Sequence, residues 1–406
     1  MLNSEHIQEI SANVGTPAYI YDASIITQRA LELADVFTGS LVHFSLKSNP
    51  NPVICRLMSN LGFGAEVSSS YEMSIALNSG VLPNRIMYGG PAKVSSQLRA
   101  ASDAGIKHFN LDSESELTRL QIVTRTQALD TPILCVRVNP NYASTAADEV
   151  MTGIPSRFGV DENNLDHVLA LGSQIGLPIN GIHLYVGSQI LDPKTVVDNY
   201  NRGLNIMGQL CDKGLLGQAE PTFVFGPGLG ISYTENDSPV DLSIIKSAII
   251  EGAEIFRRQH GKLTVKIEIG RALIGQSALY VTSVIDVKRS RGTRYIIVDG
   301  GIHHFMRYAL TKTAHQSFVV GREDDERSTA VICGATCTPY DVMSECQLEE
   351  CQAGDLIAIT NAGAYGWSMG LSNFCSRPTP PEVLIHEAKP TIIRRTSNYD
   401  DLTRLW

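Results

Sequence analysis

The sequence predicts an α/β protein that combines a closed (β/α)8 TIM barrel with a C-terminal β-sandwich or β-barrel domain. Apolar strands alternate with helical segments from about residue 41 to residue 271, and the helical pattern largely disappears beyond that point. Strands that alternate with helices pair in parallel through right-handed crossovers. A chain of 406 residues is also too long for one ordinary domain. We therefore expect two domains.

The apolar pattern places eight strands in the first domain. The N-terminal run 17–22 is β-rich, and residues 25–37 have helical spacing. The strands that follow are centred near residues 44, 66, 87, 110, 136, 184, 224 and 267. The intervening helices are expected at 52–61, 70–79, 95–104, 113–124, 163–175, 193–215 and 241–259. Eight such units over about 240 residues suit a closed barrel, although strand spacing alone leaves an open doubly wound sheet as the alternative.

Beyond Arg271 the segments read as strands among Gly, Pro and Ser turns. These strands are expected at 279–288, 294–298, 330–333 and 355–360. We assign residues 25–271 to the barrel, and residues 1–24 together with 272–406 to the β domain.

Composition excludes several classes of protein. The net charge of −9 and the lack of a dense Lys/Arg run argue against nucleic-acid binding. Eight cysteines without a paired CxxC pattern argue against both a disulfide scaffold and a metal site. The N-terminus lacks a basic and an apolar signal region, and no run is long enough to span a membrane. We expect a cytoplasmic protein with free thiols.

Unusual side chains cluster at the predicted strand ends, where barrels build their active sites. Lys47 ends the first predicted strand and is succeeded by Pro50 and Pro52, which cannot continue a β-ladder. His183 and Tyr185 are two residues apart on the sixth strand and so point to one face. The other strand-end side chains are Glu66, Arg137, Glu268 and Arg271.

Each of these residues has an ordinary and a functional interpretation. Lys47 is either a surface charge or a desolvated amine that forms a Schiff base with an aldehyde cofactor. The run Gly226-Pro-Gly228-Leu-Gly230 is either a tight turn or an anion nest for a phosphate, to which Arg271 could add a bidentate contact. Glu268 is either in a structural ion pair, with Lys266 or Arg271, or the partner of a pyridine nitrogen.

An ordered series of segments resembles one enzyme family along the chain from about Pro17 to the end. In the predicted barrel these segments are FSLKSNPNP (44–52), GAEVSSSYE (64–72), GGPAK (89–93), RVNP (137–140), SRFGV (156–160), HLYVGSQI (183–190), FGPGLGISY (225–233) and EIGR (268–271). In the β domain they are DGGIHHFMR (299–307), GATCTPYD (334–341) and GAYGWSM (363–369). The series resembles the fold-type III pyridoxal-phosphate decarboxylases, on the diaminopimelate decarboxylase side.

The resemblance implies an alanine-racemase-like fold, pyridoxal 5'-phosphate as cofactor and a head-to-tail homodimer with shared active sites. Lys47 would carry the cofactor and Glu268 would pair with its ring nitrogen, with Glu66 and Arg137 near the Schiff-base end. Cys337 of the second subunit would protonate the carbanion after CO2 leaves, accompanied by Tyr340 and Asp341. Arg307 would hold a substrate carboxylate. The phosphate cradle would comprise Ser188, Gly226, Gly228, Gly230, Arg271 and Tyr365.

Departures from the family pattern concern the substrate. Tyr185 stands where relatives stack a histidine on the cofactor ring, with His183 as its neighbour. Diaminopimelate decarboxylases carry a glutamate directly after the cysteine, which binds the distal ammonium of the substrate. This chain has Thr338 at that position, followed by Pro339. Tyr308 replaces a usual proline. Losing the carboxylate removes the partner of a distal cation.

We therefore predict a decarboxylase that acts at an L or D centre of a derivatised amino acid, citryl- or acyl-conjugated, in siderophore or secondary-metabolite synthesis. The alternatives are diaminopimelate decarboxylation in lysine synthesis, an amino-acid racemase, and a non-catalytic pyridoxal-phosphate-binding protein. Racemases of this fold place an arginine at the ring nitrogen, which disfavours that alternative.

Overall fold

The computed structural model describes residues 3–127, 132–143 and 146–404. The chain divides into two compact units. The larger unit comprises residues 30–231 and 239–273, and the smaller comprises residues 1–29, 232–238 and 274–406. Among the described residues, no helix has the length and apolar character needed to cross a membrane.

The helices of the described residues are numbered along the chain. They are α1 Ser4–Val14, α2 Ala23–Val36, α3 Pro52–Asn60, α4 Ser70–Asn78, α5 Ser95–Asp103, α6 Glu114–Gln127, α7 Leu165–Gln174, α8 Pro193–Asp212, α9 Leu242–His260, α10 Arg271–Ile274, α11 Arg307–Thr311 and α12 Tyr399–Thr403.

The strands are numbered in the same way. They are β1 Ala18–Asp22, β2 Leu41–Ser45, β3 Gly64–Val67, β4 Ile86–Tyr88, β5 His108–Leu111, β6 Ile133–Asn139, β7 Glu149–Val150, β8 Val160–Asp161, β9 Gly181–Tyr185, β10 Gly187–Ser188, β11 Thr222–Gly226, β12 Thr264–Ile269, β13 Ala278–Ser290, β14 Thr293–Val298, β15 Ser317–Val319, β16 Arg327–Cys333, β17 Val342–Glu349, β18 Leu356–Ile359, β19 Glu382–His386 and β20 Lys389–Arg394.

Eight parallel strands of the larger unit form a closed barrel in the order β2-β3-β4-β5-β6-β9-β11-β12. The β12–β2 and β5–β6 pairings complete the ring, which confirms the barrel and excludes the open sheet. Met87, Cys135 and Val224 lie on non-adjacent strands and yet form one buried cluster. Their contact shows that the barrel interior is packed with side chains.

Local sequence explains where several barrel helices begin. The Asn51 side chain accepts a hydrogen bond from the amide of Val53, and Pro52 occupies the first turn of α3. Asp192 and Asp241 cap α8 and α9 in the same manner. These caps fix the loops that leave the strand ends.

The smaller unit contains an antiparallel-rich sheet. Its main path runs β17-β16-β14-β13-β1-β19-β20, and β18 joins β13 to β15. The N-terminal strand β1 pairs antiparallel with β13 and parallel with β19. The core beneath this sheet is formed by Ile7, Ile10, Ile20, Val281, Val320, Ala358, Val383 and Ile385.

The predicted C-terminal strands are confirmed, and the structure adds elements that the sequence did not reveal. In the smaller unit these are α1, α11, α12 and the strands β15, β17, β19 and β20, and elsewhere they are α10 and the short strands β7, β8 and β10. Short amphipathic or edge segments carry too few periodic positions to be recognised. Lys47 was expected to end a strand, but β2 ends at Ser45 and Lys47 lies in a 3-10 turn over Leu46–Ser48.

Candidate active site

Lys47 lies beside an acidic side chain at the carboxyl end of the barrel. Its Nζ donates to Oε2 of Glu66 over 3.1 Å, and the other carboxylate oxygen of Glu66 accepts from the Ser68 hydroxyl at 3.2 Å. Nζ also lies 5.7 Å from the ring centroid of Tyr185. Glu66 is buried, whereas the Lys47 side chain is 39% exposed. The amine is therefore held in place and still accessible.

Glu268 pairs with His183 and not with either cation expected from the sequence. The Nε2 of His183 lies 2.6 Å from Oε1 of Glu268, and both side chains are buried. Lys266 instead contacts Nδ1 of His108 at 2.8 Å. The ordinary interpretation, an ion pair with Lys266 or Arg271, is therefore wrong, because the strand order places β9 and β12 on the two sides of β11 and brings His183 to Glu268.

The His183 contact controls the charge of Glu268. Burial opposes ionisation of this carboxyl, but the opposing effects of His183, Lys47 and Arg137 are larger and hold the pKa of Glu268 below its ordinary value. Glu268 is thus an ionised carboxylate inside the barrel. Its second oxygen, Oε2, is buried without a hydrogen-bond partner among the described residues.

Arg137 lies between aromatic and acidic neighbours near the same strand ends. Its guanidinium carbon is 4.5 Å from the Phe158 ring centroid and 5.7 Å from that of Tyr185. Its Nη1 is 3.7 Å from Asp112, which also accepts a hydrogen bond from the amide of Gly159 at 3.0 Å. Nε and Nη2 of Arg137 are buried without hydrogen-bond partners in the described part of the chain.

A buried lysine, Lys93, forms ion pairs with Asp112 and Glu116. Lys93 contacts Glu116 at 2.7 Å and Asp112 at 3.8 Å, and it donates to the carbonyl oxygen of Asn110 at 2.8 Å. All three charged side chains are almost fully buried. The GGPAK and SRFGV segments contain Lys93 and Phe158, but their contacts were not predicted from the sequence.

The glycine run lies close to the segment that contains Ser188. Gly228 has φ +63°, and a Cβ there would lie 2.1 Å from the carbonyl oxygen of Gly187. A Cβ at Gly226 would lie 2.4 Å from the Tyr185 ring. The amide of Gly230 donates to Ile190 at 2.9 Å, so that N–H is already used within the protein. The expected row of open amides is therefore shorter than the sequence suggested.

Arg271 completes this cradle. Its Nη2 donates to the Ser188 hydroxyl at 3.1 Å and to Oε1 of Glu149 at 3.2 Å. The guanidinium is buried at the end of β12, where α10 begins. Glu149, which the sequence did not single out, is thus paired with the arginine that was predicted to contact the phosphate.

The predicted residues of the smaller unit lie in two loops and one short helix. Arg307 begins α11 and is buried, with its guanidinium carbon 4.3 Å from the Tyr233 ring centroid. Tyr365 has φ +56° and is half-buried. Cys337 is an exposed free thiol, Thr338 is half-buried, and Tyr340 is largely exposed.

Asp341 anchors its own loop. Its carboxylate accepts hydrogen bonds from the amides of Ile302 at 2.8 Å and Thr336 at 2.7 Å, and from the Thr336 hydroxyl. The side chain is buried. These contacts give Asp341 a structural role and lend no support to the substrate contact predicted for it.

The barrel residues fit a pyridoxal-phosphate cofactor. An accessible lysine, an ionised buried carboxylate with an unsatisfied oxygen and an arginine beside a serine and a glycine turn are the groups that such a cofactor requires. Residues 23–275 match the family described as "Pyridoxal-dependent decarboxylase, pyridoxal binding domain". The chain belongs to this family.

Relatives of known sequence and structure agree with that assignment. The chain is 30% identical to a diaminopimelate decarboxylase of Aquifex aeolicus over 97% of this chain and 92% of the relative. It is 29% identical to the L-glutamyl-[BtrI acyl-carrier protein] decarboxylase of Niallia circulans over 99% and 96% of the two chains. The crystal structure of the Helicobacter pylori diaminopimelate decarboxylase complexed with L-lysine superposes with a TM-score of 0.88, 28% identity and 98% coverage of both chains.

Three predictions are thereby confirmed. The protein has the two-part fold of the fold-type III decarboxylases, its cofactor is pyridoxal phosphate, and it is a carboxy-lyase of amino-acid metabolism that acts on a small molecule.

Proposed function

We propose that the protein removes CO2 from an α-amino acid whose side chain is derivatised, by citrate or by an acyl linkage, in siderophore or secondary-metabolite synthesis. The observation that carries this proposal is Thr338, a half-buried neutral side chain directly after Cys337. A distal ammonium at this point would have no carboxylate partner from the adjacent residue. The Niallia circulans relative, whose name gives a carrier-bound glutamyl group as substrate, supports the derivatised class.

The barrel residues have complementary roles in this proposal. Pyridoxal phosphate, when bound, supplies the electron sink that stabilises the carbanion left by CO2. Lys47 holds the cofactor covalently, and Glu66 orients the lysine amine. Glu268, kept ionised by His183, holds a proton on the ring nitrogen. Ser188, Arg271 and the glycine turn hold the phosphate.

The smaller unit supplies the substrate contacts and the proton that replaces CO2. Cys337 delivers a proton to the substrate carbon, and Arg307 binds a carboxylate. Tyr340 contacts the substrate, and Tyr365 belongs to the phosphate cradle. In this proposal residues 25–271 form the cofactor domain, and residues 1–24 with 272–406 contribute to a homodimer interface, so that each site takes Cys337 from the partner subunit.

All eight cysteines are free thiols, and we place the enzyme in the reducing cytoplasm.

A release assay separates the substrate classes. The purified enzyme should liberate CO2 from citryl-conjugated or carrier-bound amino acids with a higher kcat/KM than from free meso-diaminopimelate. The matched comparison uses one amino acid with and without its conjugated group. A higher kcat/KM for free diaminopimelate would contradict the derivatised substrate and establish the alternative.

Diaminopimelate decarboxylation is the second candidate, because several similar proteins bear that name. The variant Thr338→Glu tests the distinction within this chain. It should raise kcat/KM for diaminopimelate about tenfold or more, since a new carboxylate would pair with the distal ammonium. Thr338→Gln, which has the same size without the charge, should give no gain.

A further inference from the structure

Glu149 lies on a short strap that is fixed to the loop after β9. Its strand, β7, pairs antiparallel with β10. The amide of Met151 donates to the carbonyl oxygen of Val186 at 3.0 Å, and the Thr152 hydroxyl donates to that of Tyr185 at the same distance. The backbone of the strap, residues 149–152, is therefore held in position while the Glu149 side chain projects toward Arg271.

The Glu149 carboxylate and the Ser188 hydroxyl contact the same nitrogen of Arg271. The two distances are 3.2 and 3.1 Å. The Arg271 side chain is 3% exposed, whereas that of Glu149 is 38% exposed. Arg271 is thus fixed in the protein interior, whereas the Glu149 side chain can turn into solvent.

A buried guanidinium without an anion nearby is strongly unfavourable. In the cofactor-bound enzyme the phosphate provides that anion. A phosphate dianion at this position repels the Glu149 carboxylate. The Glu149 carboxylate therefore pairs with Arg271 in the cofactor-free protein, and the phosphate pairs with it in the cofactor-bound protein.

We propose that Glu149 is a releasable counter-ion that takes the place of the cofactor phosphate. Glu149 neutralises Arg271 in the cofactor-free protein, and this ion pair separates when the phosphate binds to Arg271. This inference rests on the proposed phosphate cradle and adds a residue that sets the affinity of the cradle. Glu149 stabilises the cofactor-free protein and weakens cofactor binding, which makes the cofactor easier to exchange.

The test compares Glu149→Gln with Asp148→Asn, a charge-matched control at the exposed residue directly before the strap. Each protein is freed of cofactor with hydroxylamine and titrated with pyridoxal phosphate and with pyridoxal, which lacks the phosphate. Binding is followed by the visible absorbance that develops when the aldehyde is held on Lys47.

Glu149→Gln should bind pyridoxal phosphate roughly three- to tenfold more tightly than the native protein, the range expected for one partly screened charge. Its affinity for pyridoxal should be unchanged, and Asp148→Asn should match the native protein with both ligands. The cofactor-free Glu149→Gln protein should also melt at a lower temperature, since Arg271 loses the charge of the Glu149 carboxylate.

Unchanged or weaker binding of pyridoxal phosphate by Glu149→Gln would overturn the inference, as would an equal gain for pyridoxal. A native protein that develops no absorbance with either aldehyde would overturn the proposed cofactor site itself. The two failures are therefore distinguishable.

Discussion

The pairing of His183 with Glu268 shows how one neutralising contact keeps a buried carboxyl ionised. The ordinary pKa of glutamate is 4.5, and burial alone would raise it. His183 and the nearby cations reverse the sign of the shift. A carboxylate with one unsatisfied oxygen remains available to a protonated ring nitrogen.

The pH dependence of the enzyme should depend on this contact. Because the folded pKa of Glu268 lies below 4.5, its ionisation stabilises the folded protein above that pH, and the contribution is lost as pH falls through the lowered pKa. In His183→Leu the effect of burial prevails and the pKa of Glu268 rises. The acidic limb of the kcat profile, measured by CO2 release, should move to higher pH. The acidic limb of His183→Gln, which keeps a hydrogen-bond donor, should lie between those of the native protein and His183→Leu. An unchanged acidic limb in His183→Leu would show that His183 does not control the ionisation of Glu268.

At the scale of elements, the apolar pattern of the chain predicted all eight barrel strands, because these buried strands are rich in apolar residues. The contacts between strands were not predictable in the same way. His183 and Glu268 are 85 residues apart in the sequence, on two strands that both pair with β11 in the folded sheet. Two-residue strands such as β7 carry no periodic signal, and the Glu149–Arg271 contact depends on one of them.

The glycine turn after β11 offers a matched test of close backbone approach. Gly228 and Gly214 both have φ +63°, but only at Gly228 would a Cβ meet backbone, the Gly187 carbonyl oxygen. Gly228→Ala should therefore reduce the affinity for pyridoxal phosphate at least about tenfold, whereas Gly214→Ala should cost only about 1 kcal/mol of unfolding free energy and leave the affinity unchanged. Equal effects of the two variants on cofactor binding, measured by absorbance titration, would contradict this role for the turn.

Lys93 connects the loop after β4 with the end of β5 and with α6. Removing its charge in Lys93→Met leaves Glu116 buried without its cation and leaves Asp112 with Arg137 as its cation. The variant should lower the free energy of unfolding by about 3 to 5 kcal/mol. The control is Lys213→Met, whose partner Asp166 lies 2.7 Å away with both side chains more than half exposed. That loss should be below about 1 kcal/mol. Urea denaturation measures both, and similar losses would refute the structural importance of the Lys93 cluster.

At the scale of the whole molecule, the proposal requires residues of two subunits in each site. Lys47→Ala and Cys337→Ala should each be inactive alone. Mixed under conditions that allow subunit exchange, they should regain about a quarter of the native activity, since half of the dimers carry one intact site. Sedimentation should show a dimer throughout. A dimeric mixture that exchanges subunits and stays inactive would contradict the shared site.

We expect Lys47 to hold pyridoxal phosphate for decarboxylation, and the variant Lys47→Ala tests this role. Its visible cofactor absorbance and its CO2 release should both disappear, while Lys246→Ala, a surface lysine paired with Asp35, should retain both. A Lys47→Ala protein that keeps the visible absorbance and still releases CO2 would contradict the account.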